Sequence, residues 1–205
     1  MLKVGLTGGI ASGKTTVAAM FRARGCHILE ADRIAHRLME PGSHAYEEIV
    51  EAFGKDILRP DGSIDRLRLG AIVFADAARR VELERIVHPR VIVQLDSEFA
   101  RRANEGPESI VIVEAALLVE ARYHTRLDKL VVTWCRPEQQ VERLLAKGLT
   151  REQAEQRIAA QMPAEEKRRL ADYVIDCSGS LAETERQVEQ VFQSLRRHAA
   201  GSALG

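Results

Sequence analysis

Between an apolar run, Leu2 to Thr7, and a helix-like segment opening at Lys14, the chain carries Gly8-Gly9-Ile10-Ala11-Ser12-Gly13-Lys14-Thr15, which matches the spacing G-x-x-x-x-G-K-[ST]. No other stretch restricts the possible folds as tightly. Glycines at these positions let the backbone turn with its N–H groups pointing inward, and a helix beginning near Lys14 adds the positive end of its dipole. Such a loop is built to surround an anion. Lys14 supplies a point charge for phosphate oxygens, and the Thr15 hydroxyl suits Mg²⁺, a hard cation that takes oxygen ligands. By chance the pattern turns up in roughly one 200-residue chain in a hundred. Here it also sits between a strand and a helix, as the mechanism demands, so the expected ligand is a nucleotide phosphate.

Four further apolar, β-branched-rich runs read as strands: Cys26 to Glu30, Ile110 to Glu114, Lys129 to Trp134 and Tyr173 to Asp176. They hardly alternate apolar with polar, as expected when both sheet faces are covered, and helical segments separate them. The expected fold is therefore α/β, a five-stranded parallel sheet flanked by helices. About eighty residues divide the second and third strands, far more than a crossover needs. A helical insertion is expected there, with helices over Asp32–Glu40, Ala45–Phe53, Asp65–Phe74, Ala77–Val87 and Pro89–Asn104 and turns at Pro41-Gly42, Pro60-Asp61-Gly62 and Gly106-Pro107. A second insertion follows the fourth strand. Pro137 opens a helix that Gly148 closes, and the capping box Thr150-Arg151-Glu152-Gln153 opens another to about Met162, where Pro163 interrupts. The expected division is a nucleotide-binding core of residues 1–31, 107–136 and 171–205, an acceptor subdomain of 32–106, and an arginine-rich lid of 137–170.

Composition narrows the partners. Thirty basic residues balance thirty acidic ones and no basic block occurs, so nucleic-acid binding is not expected. Cys26, Cys135 and Cys177 form no C-x-x-C pair, which argues against a disulfide framework or a zinc site and fits a reducing cytoplasm. The glycines and lysine near the N-terminus do not suit a signal peptide, and no run of 18 apolar residues exists, so neither secretion nor membrane spanning is expected. No obligate protein partner is evident, and only the last segment, His198 to Gly205, looks loose.

A guanine-binding N-K-x-D element is absent, since the one asparagine is Asn104, and so is the L-S-G-G-Q signature of transporter ATPases. Two helical insertions suit a kinase for a small acceptor, one to hold the acceptor and one to close. Asp32 lies just beyond the carboxyl end of the second strand, where ligands of open α/β sheets bind, which makes it the leading general base; a plain helix N-cap is the alternative. Glu114 ends the third strand and is a candidate Mg²⁺ ligand, or simply an acid in a helix's first turn.

At this level the sequence resembles the dephospho-CoA kinase family. The matching pieces are GLTGGIASGKTT (5–16), EADRIAH (30–36), FG (53–54), DGSIDRLRLGAIVF (61–74), His88-Pro89, EAALLVE (114–120), RIAAQM (157–162) and ADYVID (171–176). The resemblance implies transfer of the ATP γ-phosphoryl group to the ribose 3′-hydroxyl of dephospho-CoA, with Mg²⁺. It extends the ATP-binding run from Gly8 to Thr16, makes Asp32, Lys14 and Arg157 the catalytic residues, and puts Asp32, Arg66 and His88 on the acceptor. Arg143 and Arg151 are further arginines of the lid. Cys177 stands where the family usually shows an asparagine near the adenine. A kinase for another small acceptor, such as a nucleoside monophosphate, and a nucleotide-binding switch are the competing readings.

Overall fold

The computed structural model describes residues 1–103, 106 and 108–201. In chain order the elements are β1 (Leu2–Gly8), α1 (Lys14–Ala23), β2 (His27–Glu30), α2 (Ala31–Leu38), α3 (His44–Phe53), α4 (Arg66–Ala75), α5 (Ala77–Ala103), β3 (Ile110–Glu114), β4 (Lys129–Trp134), α6 (Pro137–Leu145), α7 (Arg151–Ala159), α8 (Ala164–Leu170), β5 (Tyr173–Asp176) and α9 (Leu181–Gly201). All five expected strands form. They make one parallel sheet in the order β2-β3-β1-β4-β5. The order reverses direction at β1, whose neighbours β3 and β4 come later in the chain. A crevice at such a switch point, outside the carboxyl ends of the strands, is where open α/β sheets bind ligands.

The chain divides into two compact units: residues 1–30 with those from 101 onward, and residues 31–100. In the first, Val4, Leu6, Ile112, Val131 and Ile175 of the sheet pack with Val17 and Phe21 of α1 and with Val188, Val191 and Leu195 of α9. All five residues of β3 are buried, which is why its sequence shows no alternation. α9 is an addition to the expected elements. Its signals are a capping box, in which Ser180 and Glu183 each accept the other's backbone N–H (2.6 and 3.2 Å), and buried residues at 184, 188, 191, 195 and 199. The segment expected to be loose is therefore helical through Gly201, and its residues 202–205 lie outside the described residues.

The second unit packs α2 to α5 around Ala45, Ile49, Phe53, Ile57, Ile64, Leu69, Ile86 and Val87. Ser43 caps α3 by accepting from Tyr46 N, and Asp65 caps α4 by accepting from Leu67 N and Arg68 N (3.0 and 3.3 Å). Between them Asp61 accepts from Ser63 N at 2.9 Å, and Gly62 takes a positive φ of 82°, as the Pro-Asp-Gly turn requires.

One expected boundary is overturned. Pro89 does not separate two helices but sits inside the 27-residue α5. Its ring removes one helical N–H and loosens the carbonyls a turn earlier. The carbonyl that loses its helical donor is that of Arg85; beside it the Arg90 guanidinium donates to the Ile86 carbonyl at 2.6 Å, and Ile86, Val87, Leu95 and Phe99 keep the helix buried on both sides of the proline. The helix end expected at Asn104, and Pro107 of the expected Gly106-Pro107 turn, lie outside the described residues. The lid segment also holds a third helix, α8, which Pro163 opens rather than merely ending the one before.

Phe21, with no exposed surface, joins α1 to the sheet and α9. Phe21→Ala should therefore lower unfolding free energy by about 3–5 kcal/mol in chemical denaturation.

Candidate active site

β1 delivers the chain to the switch point, and the loop from Gly9 to Gly13 returns it into α1. The geometry explains each small residue. A Cβ at Gly8 would collide with the Thr133 hydroxyl and come within 2.5 Å of its carbonyl; one at Gly9 would lie 2.5 Å from Gln140 Nε2. Gly13 has a φ of 100°, which favours glycine, and Ala11 adopts a left-handed φ of 59°. Ser12 turns inward: its hydroxyl lies 2.7 Å from that of Thr133, which itself donates to the Thr7 carbonyl at 3.2 Å. Ser12 must then be the donor between the two hydroxyls.

Two side chains from α6 hold the loop's outer edge. Gln140 Nε2 donates to the Ile10 carbonyl at 2.7 Å, and Arg143 donates to the carbonyls of Ala11 (3.0 Å) and Cys177 (2.7 Å). Gln161, just past α7, accepts from Ile10 N–H at 2.9 Å. The sequence did not single out either glutamine. Gln161 lies in the RIAAQM match, but Gln140 carries no signal beyond being a polar residue on an otherwise apolar helix face.

Lys14 and Thr15, from the first turn of α1, meet Glu114 at the end of β3. Lys14 Nζ is 2.8 Å from Glu114 Oε1, and the Thr15 hydroxyl donates to the same oxygen at 3.4 Å. The pair is largely enclosed, with side-chain exposures of 15% and 9%. Glu114 is thus part of the phosphate-loop site; it extends β3 and is not a helix's first-turn acid.

A cleft of about 720 Å³ runs along the loop. Gly9 to Thr16 line one side; Ala116, Arg143, Ala146, Lys147, Gln161, Cys177, Gly179, Leu181 and Thr184 line the rest. Cys177 faces the loop so closely that a Cβ at Gly13 would sit 3.0 Å from its sulfur. Arg157, in the last turn of α7, is exposed and does not line this cleft, and Arg151 is exposed beside Glu155 at 3.6 Å.

The remaining candidates lie in the helical unit. Asp32 falls inside the first turn of α2, which starts at Ala31, so it is not the N-cap. Its exposed carboxylate stands one turn before His36, whose pKa is lowered by burial and by the Arg66 charge and partly restored by Asp32. Asp32 and Arg66 thus each lie within electrostatic reach of His36. His88 is half-buried in the middle of α5, where it caps nothing.

The dephospho-CoA kinase family model matches residues 2–183. A dephospho-CoA kinase of Symbiobacterium thermophilum is 46% identical over 192 residues, covering 93% of this chain and 80% of that one. The chain belongs to the dephospho-CoA kinase family. Among solved structures, TT1252 from Thermus thermophilus is 36% identical with a TM-score of 0.81, covering 95% of this chain and 97% of that one. The dephospho-CoA kinase from Campylobacter jejuni is 27% identical with a TM-score of 0.70, covering 96% and 98%. Membership makes the protein a kinase, a phosphotransferase acting on a hydroxyl acceptor, and it implies nucleotide use. Among the described residues no helix is long and apolar enough to cross a membrane.

Burial pushes the Cys177 thiol from an ordinary 9.0 up to about 11 and that of Cys26 up to about 12, each eased slightly by an arginine. Both thiols therefore stay protonated at pH 8 in the folded protein, and native stability should fall as pH rises from 9 toward 11, where only the unfolded thiols ionise. In native protein at pH 8, iodoacetamide should alkylate Cys26 and Cys177 at least about a hundredfold more slowly than after unfolding, as read by mass spectrometry.

Proposed function

We propose that the chain transfers the γ-phosphoryl group of ATP to the ribose 3′-hydroxyl of dephospho-CoA, with Asp32 as general base. The observation that carries the nucleotide half is the meeting of Lys14, Thr15 and Glu114 beside a glycine loop that lines a cleft of about 720 Å³. Gly8 to Thr16 cradle the triphosphate. Lys14 rests on Glu114 and is free to move onto the transferring group when phosphates arrive, because an ammonium on a flexible stem follows charge as fixed amides cannot.

The donor set at this point fits Mg²⁺. One hydroxyl and one carboxylate, 3.4 Å apart, are hard oxygen ligands, too few to trap a metal alone but enough once phosphates and water complete the shell. When bound there, Mg²⁺ would offset charge on the β- and γ-phosphates. Thr15 and Glu114 would hold it.

For the chemical step, the acceptor oxygen forms its bond to the γ-phosphorus as the bond from phosphorus to the β,γ-bridging oxygen breaks, ADP leaves, and the hydroxyl proton passes to Asp32. Arg66, close enough to His36 to affect its titration alongside Asp32, would hold an anionic group of the acceptor, with His88 further along the same unit. Residues 137–170 would act as the lid, excluding water that otherwise competes as acceptor. Arg157 would reach the transferring group through that closure. The protein would work in the cytoplasm, where its substrates are found.

Purified protein with Mg-ATP should convert dephospho-CoA far faster than AMP, CMP or shikimate, measured by chromatography of products; a preference for one of those three would replace the acceptor while leaving a kinase. Asp32→Asn keeps the shape but cannot accept a proton. It should lower kcat on the order of 10²-fold with little change in ATP affinity, and turnover within about threefold of wild type would remove Asp32 from the mechanism.

A further inference from the structure

Lys167 of α8 is completely buried, yet it is a lysine. Its Nζ lies 2.8 Å from Glu120 Oε1 and donates to the Ala116 carbonyl at 2.8 Å. That carbonyl also accepts from the Thr7 hydroxyl at 3.2 Å, and Ala116 lines the nucleotide cleft. Glu120 Oε1 in turn accepts the Met162 N–H at 3.1 Å. The residue before Met162 is Gln161, whose side chain holds Ile10 N–H of the phosphate loop. Polar contacts and one peptide link, from Met162 to Gln161, thus join an ion pair whose lysine is fully buried and whose glutamate is half-buried to the backbone of the loop, and taking that ammonium out of water costs free energy that an apolar side chain would not.

We propose that Glu120 and Lys167 are positioning residues: they fix the arm after α7 so that Gln161 holds the phosphate loop formed before nucleotide arrives. The loop needs such support. Ile10 is gripped on both sides, its carbonyl by Gln140 and its N–H by Gln161, and the next residue, Ala11, is in a left-handed conformation that costs energy for a non-glycine residue. Gln140 is carried on regular helix, whereas Gln161 lies between α7 and α8, where the Met162 contact to Glu120 and the Lys167 anchor of α8 work beside the bond from Gln161 N–H to the Ile158 carbonyl and the bond from Trp134 to Glu165 at the start of α8. A preformed loop spares ATP the entropy of ordering it, so the pair raises affinity without touching the reacting atoms.

The test begins with nucleotide-free protein and so does not depend on the kinase reading. Amide hydrogen exchange of Ile10 is followed by NMR in Gln161→Leu and in the double variant Glu120→Leu with Lys167→Met, which removes both charges together and leaves none stranded. Ile10 exchange should accelerate on the order of tenfold in both, and combining all three changes should add little further. In the Glu120→Leu with Lys167→Met variant, equilibrium binding of a fluorescent ATP analogue should weaken by a similar factor while kcat at saturating ATP changes less than about threefold. Lys167→Arg, which keeps the charge, should preserve Ile10 protection. If the double variant does not fold, Glu120→Gln serves instead, with an expected Ile10 acceleration of at least about threefold. Unchanged Ile10 exchange in a folded variant of the pair, or strictly additive effects with Gln161→Leu, overturns the proposal. Failure of wild-type protein to bind the analogue would instead count against the nucleotide reading, which the exchange measurement leaves separate.

Discussion

A phosphate group must be met by many N–H donors at once with no side chain in the way, and the sheet unit is arranged around that requirement. It dictates why β1 runs out against β4 so tightly that Gly8 has no room for a Cβ, since Thr133 stands at its register position. It also dictates that the loop's carbonyls, which would repel an anion, be turned outward and bonded. The Ile10 carbonyl goes to Gln140 and the Ala11 carbonyl to Arg143, so both of these acceptors are satisfied by side chains.

The same requirement accounts for Glu114. In the absence of phosphate an enclosed Lys14 would be a costly isolated charge, and Glu114 neutralises it at 2.8 Å. Thr15 adds a hydrogen bond to the same oxygen, so cation, hydroxyl and carboxylate form one site that nucleotide and metal can rearrange without any group being left bare. β3 supplies the carboxylate at the right height because its register places Glu114 beside Leu6, two residues before the loop opens at Gly8.

Much of this could be read from the chain because it is local. Strands buried on both faces leave continuous apolar runs, and caps such as Thr150 with Gln153 leave short signatures that the structure reproduces, both halves of that box being made at 3.2 and 3.0 Å. The dephospho-CoA kinase resemblance rested on such pieces in order. What failed to show depends on partners distant in sequence. Pro89 reads as a break because its own hydrogen bond is lost, whereas the burial of Ile86, Val87, Leu95 and Phe99 that carries the helix past it is tertiary. Gln140, Gln161 and Lys167 are ordinary polar residues until the fold brings backbone groups of Ile10 and Ala116 within reach, across 130, 151 and 51 residues of sequence.

The arginines of the lid segment illustrate how geometry divides residues that composition treats alike. Arg143 has both terminal nitrogens engaged on carbonyls, one of them the carbonyl of left-handed Ala11, so swinging it onto a phosphate would release the loop it supports. Its planar fork suits that bridging role. Lys147 is different. It lines the same cleft, is exposed, and makes no ion pair among the described residues, so its ammonium can meet an arriving anion without breaking a contact. Arg157 is likewise uncommitted but lies off the cleft, four residues before Gln161, whose bond to Ile10 keeps the end of that arm at the loop. Because its guanidinium starts only four residues from that anchor, the lid closure proposed above would have a short distance to carry it. Movable positive charge therefore sits on side chains that carry no structural load, while the arginine nearest the loop is retained as part of its frame.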